Sequence, residues 1–180
     1  YKYVGFVGNL IEIKRADKLV EIFEKVRDRI KKVRFIVVGD GHLRSKIEEE
    51  AKRKDLDVLF TGRVDQEKVA KYINAMDVMI LPSRNEGWPC VVLEAQACGT
   101  CVIGSSNGGI PEAIGFDKYV VAEGKDFEDK IAQRIVQILE GGYDREKLIE
   151  RAKDFTWERI VQMEKGIYEQ VLENVKYEFK

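Results

Sequence analysis

This sequence predicts an α/β fold built on a parallel sheet, and three observations carry that prediction. Short β-branched and aromatic runs alternate with segments whose apolar residues recur at helical spacing, from the N-terminus to about residue 139. Run 78–81, Val-Met-Ile-Leu, is apolar throughout and stopped by Pro82, as in a strand buried on both faces. Glycine-rich turns follow the runs at Gly8, Gly39 to Gly41, Gly62, Gly87 and Gly104 to Gly109. Together these predict a doubly wound, Rossmann-like parallel sheet of about six strands with additional C-terminal helices. At 180 residues the chain suffices for one such domain, spanning 1–180, and is too short for two.

The first strand is predicted at 3–8, followed by a helix over 16–32 on which Leu19, Val20, Ile22, Phe23, Val26 and Ile30 share a face. The same grammar repeats with a strand at 33–38 and helix at 42–54, then a strand at 58–61 and helix at 65–75. Three further strands are predicted at 78–81, 101–103 and 119–121, with helices at 90–97, 111–114 and 127–139. After the sheet, 144–153 and 157–175 read as helices, the second opened by Thr156 as N-cap. Sheets of this kind bind ligands outside the carboxyl ends of their strands, and the glycine turns all lie at such ends.

Composition removes several function classes. Lys and Arg total 31 against 32 Asp and Glu, so neither a nucleic-acid footprint nor a polybasic membrane patch is expected. No apolar run approaches membrane-spanning length and the N-terminus lacks a signal-peptide pattern, which points to a cytoplasmic chain without a membrane span. Cys98 and Cys101 have redox or metal spacing, but one falls at a helix end and the other opens a strand, with no second ligand pair. They read as small buried hydrophobes, and no metal site is expected. The first turn, Gly5-Phe-Val-Gly8-Asn-Leu, does not match the G-x-G-x-x-G pattern that dinucleotide binding requires. There is no P-loop and no Ser/His/Asp arrangement.

The most informative stretch is 85–95, where Glu86 and Glu94 stand eight positions apart across a loop-to-helix junction. Gly87 and Pro89 break the chain direction, and the helix begins near Cys90. Its first N–H groups, around Cys90 and Val91, form a positive pole suited to phosphate, while the two carboxylates suit sugar diols. Two glutamates at a solvated helix start would have the same spacing, and spacing alone does not choose between the readings.

The wording of the stretch does choose. Glu86-Gly87-Trp88-Pro89 followed by Glu94-Ala95-Gln96-Ala97-Cys98-Gly99 resembles the paired-glutamate signature of retaining GT-B glycosyltransferases, the glycosyl transferases group 1 family. The resemblance extends to Gly108-Gly109-Ile110-Pro111-Glu112, Gly39-Asp40-Gly41 and Val7-Gly8 with Lys14, in the family's order. It covers nearly the whole chain and corresponds to the C-terminal, donor-binding half of such an enzyme.

The resemblance implies transfer of a sugar, with retained anomeric configuration, from a nucleotide-sugar donor to an acceptor bound by an N-terminal domain. It implies neither metal nor cofactor, the nucleotide sugar being a substrate. Lys14 and Glu86 are the implied catalytic residues: Lys14 neutralises the leaving diphosphate and Glu86 contacts the sugar hydroxyls. Glu94 holds the ribose diol, Cys90 and Val91 offer backbone N–H groups, and Gly8, Asn9, Gly39, Gly41, Arg63, Val64, Gly87 and Pro89 complete the donor-binding set. Gly108 and Gly109 form a second candidate cradle, and helix 156–175 crosses to the N-terminal domain. The chain departs from the pattern at Asn9, where the family usually has arginine, so Arg15 or another group supplies the missing charge, or transfer is reduced. Two alternatives stay open: a nucleotide-sugar epimerase of the same architecture and a non-catalytic nucleotide-sugar-binding module.

Overall fold

A computed structural model of the chain describes residues 1–178. Six parallel strands, β1 (Lys2–Val7), β2 (Val33–Val38), β3 (Val58–Gly62), β4 (Val78–Leu81), β5 (Cys101–Ser105) and β6 (Val120–Val121), form one sheet in the order β3-β2-β1-β4-β5-β6. The helices between and after them are α1 (Leu19–Arg27), α2 (Arg44–Arg53), α3 (Gln66–Ala75), α4 (Cys90–Ala97), α5 (Ile110–Ile114), α6 (Phe127–Gly141), α7 (Arg145–Ala152) and α8 (Trp157–Glu178). This is the expected Rossmann-like, doubly wound arrangement.

Strand periodicity divides the core in two. Val4, Phe6, Phe35, Val37, Val78 and Ile80 pack on one face against α1, α2 and α6, with Phe23 of α1 stacked on Phe35 at 4.3 Å. Ile36, Val38, Met79, Leu81 and Val102 face the other way, against α3, α4, α5 and α7. Burying both faces explains why 78–81 carries no polar residue.

The boundaries depart from expectation mainly near β1. The helix expected over 16–32 is confined to α1, and two 3-10 turns, Glu12–Lys14 and Ala16–Lys18, precede it. Arg15 between them has a left-handed φ of 55°, which no continuous helix accommodates. At the sheet's far edge Tyr119 falls in a 3-10 turn, leaving β6 only two residues. Thr156 does precede α8 as an N-cap, accepting from the Arg159 N–H at 3.4 Å.

Candidate active site

The strand order reverses between β1 and β4, and the crevice at their carboxyl ends is where a doubly wound sheet takes its ligand. It measures about 460 Å³ and is walled by Gly8, Asn9 and Lys14 after β1 and by Glu86, Trp88, Pro89, Cys90, Val91 and Glu94 after β4, with Gln66 of α3 at the rim.

The two loops are tied together across it. The Arg84 N–H donates to Ile13 O at 2.8 Å, and the Arg84 guanidinium forks onto Asp17 at 2.7 and 2.8 Å and also reaches Glu12 O. Hydrogen bonding from Arg84, reinforced by its charge, holds the Asp17 carboxyl below the usual carboxylate range. Above this clamp Lys14 Nζ lies 2.5 and 2.7 Å from the two oxygens of Glu86. Ser83, fully buried, donates its hydroxyl to Glu86 Oε1 at 2.8 Å. Glu86 thus accepts three charge-assisted hydrogen bonds in a place where its side chain is only 11% exposed.

Pro89, itself buried, is the N-cap of α4; no side chain caps this helix and its first turn has no acidic residue. Its terminal N–H groups therefore present an uncompensated positive pole beside Lys14. Glu94, just over one turn further, accepts from Gln66 Nε2 at 2.9 Å. Lys14, Glu86, the α4 terminus and Glu94 thus all line one crevice.

Gly39, Gly41, Arg63 and Val64 are not among the residues that wall the crevice, and Gly87 lies between two that are, Glu86 and Trp88. Gly39 has a φ of 129°, and a Cβ there would sit 2.0 Å from Gly8 O; at Gly41 it would sit 2.3 Å from Leu10 O. These two glycines let the turn after β2 press against the back of the turn after β1, while Val64 packs into the core. The expected cradle at Gly108-Gly109 is likewise a buttress. The Gly109 N–H donates to Glu86 O at 2.9 Å, and a Cβ on Gly109 would meet Gly87 O at 1.8 Å, so this turn backs the Glu86 loop. Arg15 does not supply the charge that Asn9 lacks, because its guanidinium turns from the crevice onto Glu123 at 2.8 Å.

Sequence reasoning did not single out Ser83, which donates to Glu86, Gln66, which donates to Glu94, or Glu123, which takes Arg15. Ser83 had a signal in its place, directly after the strand-ending Pro82 at a carboxyl end of the sheet; the others carry none. Among the described residues no group of three or more His, Cys, Asp or Glu side chains is gathered to hold a metal. Burial pushes the Cys101 thiol up to about 12 and raises that of Cys98, as suits packing residues. No helix is long and apolar enough to cross a membrane among the described residues.

Comparison with known proteins bears on the fold and the family. A pneumococcal O-GlcNAc transferase crystallised with UDP and GlcNAc superposes with a TM-score of 0.79 at 21% identity, over 94% of this chain and 36% of that one. Sucrose-phosphate synthase of Thermosynechococcus elongatus superposes with a TM-score of 0.76 at 28% identity, over 96% and 46%. N-acetyl-alpha-D-glucosaminyl L-malate synthase of Bacillus anthracis is 32% identical over 184 residues, 97% of this chain and 47% of its own length. The chain thus spans about half the length of the curated relatives it matches, or less. The family model for glycosyl transferases group 1 matches residues 1–141, and the chain belongs to that family.

Proposed function

We propose that this domain is the donor-binding half of a retaining, metal-independent glycosyltransferase that moves a sugar from a nucleotide-sugar substrate, without a cofactor. The observation that carries the reading is that one crevice is walled by the carboxylate of Glu94, the bare N-terminus of α4 and the Lys14–Glu86 pair. A nucleotide sugar offers a matching set of groups: ribose diol, diphosphate and hexose hydroxyls. Glu94 takes the diol, the N–H groups of Cys90 and Val91 take phosphate oxygens, and Glu86 accepts from the sugar.

Lys14 stands between the diphosphate and the sugar. As the glycosidic bond to phosphate lengthens, negative charge grows on the diphosphate, and the ammonium and the helix terminus are fixed where it develops. With Asn9 in place of arginine, those two groups carry the electrostatic stabilisation in this half. Between diphosphate and sugar the Lys14 ammonium also pairs with the Glu86 carboxylate. Gly39, Gly41, Arg63 and Val64 are assigned to the wall behind Gly8, toward the nucleobase.

The acceptor belongs to an N-terminal domain, in keeping with relatives about twice as long. Helix α8 supports this: Trp157, Val161, Ile167, Tyr168, Val171 and Leu172 are exposed along it, an apolar stripe suited to crossing onto that domain. The test is incubation of the full-length protein with nucleotide sugars and sugar acceptors, with and without chelator. Acceptor-linked sugar of unchanged anomeric configuration, formed in chelator, is expected. Inverted product or an absolute need for a divalent ion would overturn the reading, and epimerised free nucleotide sugar would replace it with the epimerase.

A further inference from the structure

Arg15 is an unusual residue in an unusual place. It is 6% exposed, its backbone is left-handed without being glycine, and its Nε is buried with no hydrogen-bond partner. Its Nη2 lies 2.8 Å from both oxygens of Glu123, and its guanidinium sits 4.0 Å from the centre of the buried Phe127 ring. A buried charge and a left-handed side-chain-bearing residue are both costly, and persist where the surroundings hold them in place. The consequence is directional: consecutive side chains diverge, Lys14 into the crevice and Arg15 back toward the end of β6.

The contacts of Glu123 return to the same crevice. Asn107 Nδ2 donates to Glu123 Oε1 at 2.7 Å and lies 3.3 Å from Ser83 O, which also accepts from Ser105 Oγ at 2.6 Å. Ser83 Oγ reaches Glu86, Glu86 takes Lys14, and the Lys14–Arg15 peptide closes the ring. The turns after β1, β4, β5 and β6 are thereby joined by one polar circuit.

We propose that Arg15 and Glu123 are positioning residues, anchoring the turn after β1 so that Lys14 is presented to Glu86 and to the diphosphate. The effect on diphosphate rests on the donor-site reading above; the effect on the Lys14 amine does not. Neither anchor lines the crevice, so each acts through Lys14.

The experiment has two readouts on the full-length protein carrying Glu123→Gln. The first is reductive methylation without ligand, followed by mass spectrometry of the Lys14 peptide, with the exposed Lys71 as reference. Lys14 labelling is expected to rise several-fold relative to Lys71. Unchanged Lys14 labelling, with or without a fall in thermal midpoint, would overturn the proposal, because a merely structural ion pair behaves that way. Should Glu123→Gln not fold, Asn107→Ala removes only the return branch; a smaller rise in Lys14 labelling supports the circuit and no rise overturns it. The second readout is calorimetry with ADP, GDP and UDP in a double-mutant cycle. Glu123→Gln is expected to weaken the tightest ligand about tenfold, and to have no effect once Lys14→Ala is present; equal losses in both backgrounds would overturn the proposal. If the parent binds none of the three, the donor-site reading fails, and Lys14 labelling still decides the positioning role.

Discussion

Glu86 and Glu94 are the same residue type on the same short stretch, and the fold treats them in opposite ways. Glu86 lies in a loop and is held from three sides, by Lys14, Ser83 and, through its carbonyl, the Gly109 N–H. Glu94 lies on helix α4, and among the described residues Gln66 alone is hydrogen-bonded to its carboxylate. A loop carboxylate gains its geometry from neighbours, whereas a helical one gets it from its own backbone. Disturbing neighbours should therefore damage the Glu86 side and leave the Glu94 side intact.

The largest expected effect comes from removing the charge that faces Glu86. In the full-length enzyme Lys14→Ala should lower turnover by on the order of a hundredfold, the usual scale for losing preorganised electrostatic stabilisation. Binding of nucleoside without phosphates should not change; steady-state kinetics and calorimetry check both.

Next is the buttress. Gly109→Ala places a Cβ 1.8 Å from Gly87 O, and relieving that overlap should cost roughly 1–3 kcal/mol of stability, as overpacking does. Urea unfolding measures it, and nucleotide-sugar binding should fall with it while nucleoside binding holds.

The clamp beneath the crevice is smaller. Asp17→Asn should cost about 1 kcal/mol, the upper scale for a well-formed, partly exposed ion pair. Its pH dependence has a definite sign. Because Arg84 depresses the folded carboxyl, the stabilisation is complete above the unfolded value of about 3.9 and is lost as pH falls through the lower folded value. The stability gap between parent and variant should stay constant at neutral pH and close below about pH 4, as urea midpoints across a pH series would show.

The mildest test concerns the helix terminus that both carboxylates flank. Cys90 is exposed there, while Cys101 is buried with its thiol pushed up to about 12. Iodoacetamide should label Cys90 and spare Cys101 in the native protein, and a bound nucleoside diphosphate should slow Cys90 labelling a few-fold.

The parallel sheet, its order of elements and the pair of glutamates were legible in sequence because each is written locally, in strand runs, helical spacing and turn residues. What separates Glu86 from Glu94 was not. Ser83 reaches Glu86 through a hydrogen bond that only the folded loop creates, and Gln66 meets Glu94 across a separation of 28 residues. The left-handed Arg15 is hidden because nothing in Lys-Arg-Ala-Asp announces it; the residue adopts that backbone through its tertiary contacts with Glu123 and Phe127. Gly108-Gly109 reads as a ligand cradle in sequence and is a buttress in the fold, since clearance from Gly87 O is a property of two distant turns.

The most direct test of the division between the two carboxylates is calorimetry of Glu86→Gln and Glu94→Gln with a ribonucleoside diphosphate, its dideoxy analogue and the matching nucleotide sugar. Glu94→Gln should weaken the ribonucleoside diphosphate by roughly 1–3 kcal/mol, the scale of a charged hydrogen bond, and leave the dideoxy analogue unaffected. Glu86→Gln should spare both diphosphates and weaken only the nucleotide sugar. Variants that bind all three ligands as the parent does would contradict the account, and would reduce the pair to two glutamates at the start of a helix.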